Sequence, residues 1–165
     1  MGDIKRKRKK FARPRKIYDT KRIQEENKIV EVYGLKNKRE IWKADTSVSA
    51  IRKRAKLLIP AAEEEKQQFF SKLAKDGLNV SSLGEVLALT KENVLQRRLQ
   101  TILFKKGLAK TPKQARQLIV HKNVIVNGKI VNSPSFKVCN DLENKIELKI
   151  KDKKSKEMSE EKQDE

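Results

Sequence analysis

The sequence predicts an α+β protein, with a mostly helical first part followed by a small helix-helix-sheet unit. From about residue 20 to residue 121, apolar residues recur at spacings of three and four, which is typical of helices with one buried side. After Asn123 the pattern changes to short β-branched and alternating runs, which are typical of strands. A length of 165 residues favours one domain, or one domain with a smaller module.

Caps and breakers divide the first part into helices. Thr20 is a candidate N-cap, Gly34 is a candidate C-terminal residue, and Pro60 and Gly77 are further breakers. The predicted helices run from 20 to 33, from 35 to 43, from Asp45 or Thr46 to before 60, from 63 to 73 and from 81 to 89.

Two further helices are predicted to have one apolar and one cationic side. The first is capped by Thr90 and runs from residue 91 to about 106. The second is capped by Thr111, with Pro112 at its first position. The apolar sides are Leu95, Leu99, Ile102 and Leu103, then Ala115, Leu118 and Ile119; the opposite sides are Arg97, Arg98, Thr101 and Lys105, then Lys113, Arg116, Gln117 and His121.

A sheet of four to five strands is predicted after these helices. Asn127-Gly128 is a strong signal for a two-residue hairpin turn between β-branched runs. The predicted strands are 124–126, 130–131, 136–139 and 145–150, with a break at 133–135. Residues 94–150 would then form a compact unit close to the lower size limit for independent folding.

The charge distribution indicates a polyanionic partner. The chain has 41 Lys and Arg against 22 Asp and Glu, a net charge of +19, and no acidic residue from 93 to 140. A solvated surface normally mixes both signs. An acidic residue in a phosphate-binding surface would repel the ligand, so its omission favours a nucleic-acid-binding face.

Other classes of function find no support in the sequence. No apolar run approaches the roughly 18 residues that a membrane span needs. A single cysteine, Cys139, and a single histidine, His121, leave no motif for a metal site or a catalytic constellation, and no cofactor is expected. We expect Cys139 to be a small buried residue in a strand rather than a reactive thiol. His121 could contact RNA or simply face solvent.

The two ends of the chain have biased compositions. Residues 1–19 form a predicted basic arm, which includes the run KRKRKK from Lys5 to Lys10. Such an arm would order only against an anion; a solubilising tail or a transport signal is the alternative. Residues 151–165 are mixed in charge, lack periodicity and are predicted to be disordered.

Several ordered motifs carry a family resemblance. The stretch RRLQTILFKKGLAKTPKQARQLIVHKNVIVNGKIVNSPSF resembles the RNA-binding domain named after small-subunit ribosomal protein "S-four". The flanking segments KRKRKKFARPRK, YGLKNKREIWK and LALTKENVLQRRLQT resemble the archaeal and eukaryotic type of that ribosomal protein. Together these segments extend the resemblance over nearly the whole chain up to about residue 150.

The resemblance implies a structural constituent of the small ribosomal subunit. It implies a helical ribosomal-RNA-binding domain at 20–93 and the S-four-type domain at 94–150, which together bind a junction of small-subunit ribosomal RNA early in assembly. It also implies neighbouring ribosomal proteins, a cytoplasmic ribosome-bound location, no membrane, and a role in messenger entry and decoding accuracy. The predicted RNA-binding residues are Lys5, Arg6, Lys7, Arg8, Lys9, Lys10, Arg13, Arg15, Arg97, Arg98, Lys105, Lys106, Thr111, Lys113, Gln114, Arg116, Gln117, His121, Lys122, Asn127 and Lys129.

Two alternatives remain open from the sequence. One is a targeting subunit of an RNA-modifying enzyme, although no segment is free to supply a catalytic domain. The other is an RNA-binding regulator such as a ribosome-rescue factor. Neither would be a permanent component of the small subunit.

Overall fold

The computed structural model describes residues 9–149, so Lys5, Arg6, Lys7, Arg8 and the predicted tail at 151–165 lie outside the described residues. Eight helices and three strands are present in the described part of the chain. They are α1 (Thr20–Tyr33), α2 (Lys38–Leu57), α3 (Glu63–Lys75), α4 (Leu83–Ala88), α5 (Lys91–Gln96), α6 (Leu99–Lys105), α7 (Pro112–Val120), β1 (Val124–Val126), β2 (Lys129–Ile130), α8 (Asn140–Glu143) and β3 (Ile146–Leu148). The α+β class is confirmed.

Two predicted helices form one continuous helix, α2. The sequence predicts that a new helix begins at Asp45 or Thr46, but both lie inside α2, and the Thr46 hydroxyl donates to the carbonyl of Trp42 at 2.8 Å. This is the bond that Thr makes to the preceding turn when it is not a cap. Asn37 is the N-cap of α2, and Asp19 rather than Thr20 is the N-cap of α1. A continuous buried stripe then favours a single long helix.

The predicted helix 91–106 is wrong as a single element, because the chain is extended at Arg98. There the backbone pairs with a later segment: the Leu99 amide donates to the Phe136 carbonyl at 2.8 Å, and the Val138 amide donates to the Arg97 carbonyl at 3.0 Å. The break therefore exchanges helical hydrogen bonds for long-range ones. It also buries Arg98 and Thr101, which the sequence predicts on the outer side of the helix.

The same pairing explains why the predicted strand 136–139 is absent from the sheet. Lys137 forms an isolated bridge with Arg98 instead. The sheet has three strands in the order β2-β1-β3, all antiparallel, so the expectation of four to five strands is wrong for the described residues. Cys139 is half-buried and precedes α8 rather than lying in a strand.

The hairpin turn is confirmed. Asn127 and Gly128 both have positive φ, at 48° and 75°, which is the conformation of a type I′ turn. Val126 pairs with Lys129 across it. β1 also pairs with β3, where Ile125 faces Glu147. The strand pairing therefore fixes the position of Lys129 next to the hairpin turn.

The buried residues form two separate hydrophobic clusters. The first joins α1 to α5 and ends with Val94 and Leu95, and the second begins at Leu99 and extends to Ile146. The boundary therefore falls at the break between α5 and α6. All four residues expected on the apolar side of the 91–106 segment are buried, as are Ala115 and Ile119.

Candidate nucleic-acid interface

Exposed cations and amides surround α6, α7 and the hairpin. Their side chains are free to meet a ligand, since no ion pair joins any of their cations to another residue within 9–149. A phosphate could therefore be contacted without first breaking an internal ion pair. Around these elements, the exposed residues among the predicted RNA contacts are Lys105, Lys106, Thr111, Lys113, Gln114, Gln117, His121, Lys122, Asn127 and Lys129.

Two of the predicted contacts have a structural role at the start of α7. The Thr111 hydroxyl accepts from the Gln114 amide at 3.1 Å, and the Gln114 side chain accepts from the Lys110 amide at 2.8 Å. Both bonds satisfy donors that a helix start leaves unpaired. They fix the helix from which Lys113 and Gln117 project.

Two arginines of the acid-free segment meet one carboxylate from α2. Glu40 accepts from Arg98 Nη2 at 2.5 Å, and its two oxygens accept from the Arg116 guanidinium at 2.8 and 3.3 Å. Gln100 lies beside them; its carbonyl oxygen accepts from Arg116 at 3.3 Å. We refer to Glu40, Arg98, Arg116 and Gln100 as the Glu40 cluster. It joins the first hydrophobic cluster to the second.

The ionisation of Glu40 is favoured in this cluster. Burial alone would raise the pKa of the carboxyl. The hydrogen bonds from Arg116 and Arg98 and their two positive charges outweigh burial, so the pKa of Glu40 lies below its ordinary value of 4.5. Glu40 is therefore an anion at neutral pH, and it neutralises part of the charge of the predicted face.

Arg97 points away from Arg98, although the two are neighbours in the sequence. Its guanidinium pairs with Glu143 at 2.9 Å and donates to the Val138 carbonyl and to Asn140. Lys106 donates to the Glu143 carbonyl. The structure therefore does not bring the Arg97 and Arg98 side chains together.

The described part of the basic arm is attached to α2. The Phe11 ring lies 6.1 Å from the Trp42 ring and 5.9 Å from the Arg39 guanidinium, and the Ala12 amide donates to the Thr46 hydroxyl. Aromatic and cation–π contacts of this kind hold a segment with few other interactions. The exposed cations of this part of the arm are Lys9, Lys10, Arg13, Arg15 and Lys16.

A second buried carboxylate supports the end of the arm. Glu26 accepts from Arg22 at 2.6 Å and from the Trp42 ring nitrogen at 3.0 Å. Arg22 in turn donates to the carbonyls of Lys16 and Ile17. Burial acts to raise the pKa of Glu26, but these hydrogen bonds and the charges of Arg22 and Lys38 lower it overall. Sequence analysis did not single out Glu26 or Glu40, because their partners are far away or unremarkable in the sequence.

We expect Glu40→Gln to lower the free energy of unfolding by about 1.5 kcal/mol at neutral pH, a value reduced by the partial exposure of the pair. A lowered carboxyl pKa stabilises the fold above the unfolded-state pKa, and this contribution is lost as pH falls through the folded-state pKa. In urea titrations, the difference between wild type and variant should therefore be constant near neutral pH and shrink below the ordinary value of 4.5.

Asp45→Asn is the matched control for that experiment. Asp45 lies on the same helix, is exposed, and makes no ion pair with any residue from 9 to 149. Its substitution should change the free energy of unfolding by less than about 0.5 kcal/mol. A Glu40→Gln effect that persisted undiminished in strong acid would contradict the assignment of the stabilisation to the carboxylate.

Among residues 9–149, no group of three or more His, Cys, Asp and Glu side chains is arranged to hold a metal ion. Over the same residues, no helix combines the length and apolar character that crossing a bilayer requires.

The family model described as S4 domain matches residues 97–143, which include the α5–α6 break, α7, the hairpin and α8. The chain thus falls in the class of proteins that carry an S4 domain. Relatives extend the similarity to the helical part. The chain is 41% identical over 152 residues to a protein of Methanothermobacter thermautotrophicus, covering 88% of this chain and 89% of the relative.

Two further relatives give the same result. The identity is 43% over 145 residues with a Methanococcus aeolicus protein, covering 84% and 82% of the two chains. It is 44% over 157 residues with a Saccharolobus islandicus protein, covering 91% and 87%. All three relatives are named small ribosomal subunit protein uS4. The chain belongs to the small ribosomal subunit protein uS4 family.

Proposed function

We propose that the protein is a structural constituent of the small ribosomal subunit that binds small-subunit ribosomal RNA. The observation that carries the proposal is the family membership over most of the chain, since the relatives bear the name of a small-subunit protein. The net charge of +19 and the exposed cations around α6, α7 and the hairpin supply the electrostatic attraction that RNA binding requires.

The finer parts of the proposal concern how the RNA is recognised. A helix junction is bound mainly through its shape and phosphates, with the domain at 94–150 and the helical domain at 20–93 each contributing a surface. The contacts are those predicted from the sequence, and Lys113, Lys122 and Lys129 are the exposed cations best placed to meet phosphate directly. The basic arm adds further contacts.

The cellular role follows from the same proposal. The protein acts in the cytoplasm as part of the ribosome, beside neighbouring small-subunit proteins, and its binding nucleates assembly of the body of the subunit. A place near the messenger entry site and an effect on decoding accuracy belong to this proposal as well. Catalysis is not part of it, since the relatives are named as subunit components.

The logarithm of the affinity for an archaeal small-subunit ribosomal RNA transcript is expected to fall linearly with the logarithm of salt concentration. The slope should be roughly 0.7 to 0.9 per phosphate contacted, because each contact releases a counterion. Filter binding over a salt series measures it. Lys113→Ala should reduce the slope by about one unit, whereas Lys53→Ala, an exposed lysine of α2, serves as the charge-matched control.

A slope near zero would contradict RNA binding through this face. Equal losses for the two lysine variants would assign the binding to net charge alone. Sedimentation separates the remaining alternatives: a structural component stays with the small subunit after a high-salt wash, whereas a rescue factor or a targeting subunit is released.

A further inference from the structure

Glu40, Arg98 and Arg116 of the Glu40 cluster line a groove between α2, the end of α5 and residues 134–137. The groove has a volume of about 680 Å³. Thr46, Ser47 and Ser135 add hydroxyl groups to its lining. Its charged lining consists of five cations and one carboxylate: Lys10, Lys43, Arg98, Arg116, Lys137 and Glu40.

The Glu40 carboxylate is held in one position by hydrogen bonds to two guanidinium groups. Both Glu40 oxygens are bonded to guanidinium groups, and Arg116 spans the two oxygens with its fork. Such two-point pairing fixes the plane of a guanidinium as well as its distance. Because Arg98 comes from the α5–α6 break and Arg116 from α7, one side chain of α2 orients groups from two other elements.

Independent contacts hold the elements that carry these groups. Gln100 Nε2 lies within 3.1 Å of three carbonyl oxygens, those of Tyr33, Gly34 and Pro112. Gln100 of α6 therefore ties the end of α1 to the start of α7. The backbone around the cluster is thus set before any ligand binds.

We infer that Glu40 is a positioning residue for RNA binding, which holds Arg98 and Arg116 in one orientation beside the groove. An RNA phosphate then meets the ordered guanidinium group of Arg116, while Arg98, only 6% exposed, anchors the carboxylate. This inference rests on the proposed function. Arginine has large rotamer freedom, and a ligand that must order two free arginines loses affinity. Glu40, Arg98 and Arg116 all line the groove, and the two positive charges paired with the carboxylate offset its repulsion of phosphate.

The direction in which Glu40→Gln changes the affinity for RNA distinguishes a positioning role of the carboxylate from simple repulsion of RNA. Glu40→Gln and Asp45→Asn each remove one negative charge from the same helix. If the carboxylate mainly repelled RNA, both variants would bind more tightly. We expect Glu40→Gln to bind an archaeal small-subunit ribosomal RNA transcript about ten-fold more weakly, because the arginines lose their common partner. Asp45→Asn should bind as tightly as wild type or slightly more tightly.

A second measurement distinguishes positioning from a general loss of structure. In a chain that already carries Arg98→Gln and Arg116→Gln, Glu40→Gln should change the affinity by less than about two-fold, since the groups it orients are gone. An equal ten-fold loss in that background would overturn the inference. So would a Glu40→Gln single variant that binds as tightly as Asp45→Asn.

Urea titration establishes that each variant is folded at the temperature of the binding assay. If Glu40→Gln is not folded at that temperature, Glu40→Asp replaces it. Its carboxylate is one methylene shorter and should not reach both arginines. Wild-type affinity in the Glu40→Asp variant would overturn the inference. The proposed function fails separately, when wild type itself shows no salt-dependent binding. If wild type binds RNA but Glu40→Gln and Asp45→Asn bind it with equal affinity, only the positioning role of Glu40 is contradicted.

Discussion

Leu103→Ala is expected to lower the free energy of unfolding by about 3.5 kcal/mol. Leu103 is 0% exposed and packs in the second hydrophobic cluster with residues of α7, β1 and the 136–138 segment. Removing a buried leucine side chain loses its transfer free energy and leaves a cavity that neighbours fill only in part. A unit this small has little stability to spare, so the variant should unfold at a clearly lower urea concentration than wild type.

The adjacent residue of α6 provides the control. Phe104 is larger but 42% exposed, so Phe104→Ala should cost about 1 kcal/mol or less. Both variants can be followed by far-ultraviolet circular dichroism during urea unfolding. Equal losses for the two variants would show that the packing around Leu103 differs from the arrangement described above.

Gly34→Ala is expected to destabilise the fold by about 3 kcal/mol, well beyond Gly107→Ala. Both glycines have positive φ, 58° and 71°, so each substitution carries about 1 kcal/mol of backbone strain. At Gly34 the new Cβ would also lie 2.9 Å from Pro112 Cβ and 3.0 Å from the Lys113 nitrogen. At Gly107 no atom lies within 4 Å. The excess at Gly34 therefore measures crowding between the α1–α2 connection and α7.

Thermal or urea unfolding of the two alanine variants gives the difference directly. RNA binding at a temperature where both are folded adds a second readout. If crowding displaces α7, Gly34→Ala should also disturb the Glu40 cluster and weaken binding, whereas Gly107→Ala should not. Indistinguishable stabilities would mean that backbone strain alone accounts for both losses.

The sequence predicted those elements whose signals are local. Thr111 with Pro112, the Asn127-Gly128 turn and Gly34 each act through their own few residues, and the structure has them as expected. The apolar stripe through Leu95, Leu99, Ile102 and Leu103 is also buried, although the helix carrying it is broken. Burial was thus predicted better than backbone continuity.

The failures arise from contacts between distant residues. Nothing near Arg98 indicates that Phe136 and Val138 pair with the chain there, so one long-range pairing produced both a falsely continuous helix and a falsely assigned strand. The candidate site shows the same limit. The acid-free segment predicts one cationic face, yet Glu40, 58 positions before Arg98, pairs a carboxylate with the buried Arg98. Charge composition predicts a basic surface, but tertiary contacts decide which cations remain free.

The pairing of the α5–α6 break with a later segment also has a consequence for synthesis of the chain. Leu95 completes the first hydrophobic cluster, whereas Val138, the partner at the break, follows Arg97 by 41 positions. At about 5 to 20 residues per second, a ribosome needs roughly two to eight seconds to add that length. During this interval the nascent polypeptide contains every buried residue of the first hydrophobic cluster but lacks the 136–138 segment that pairs with the α5–α6 break.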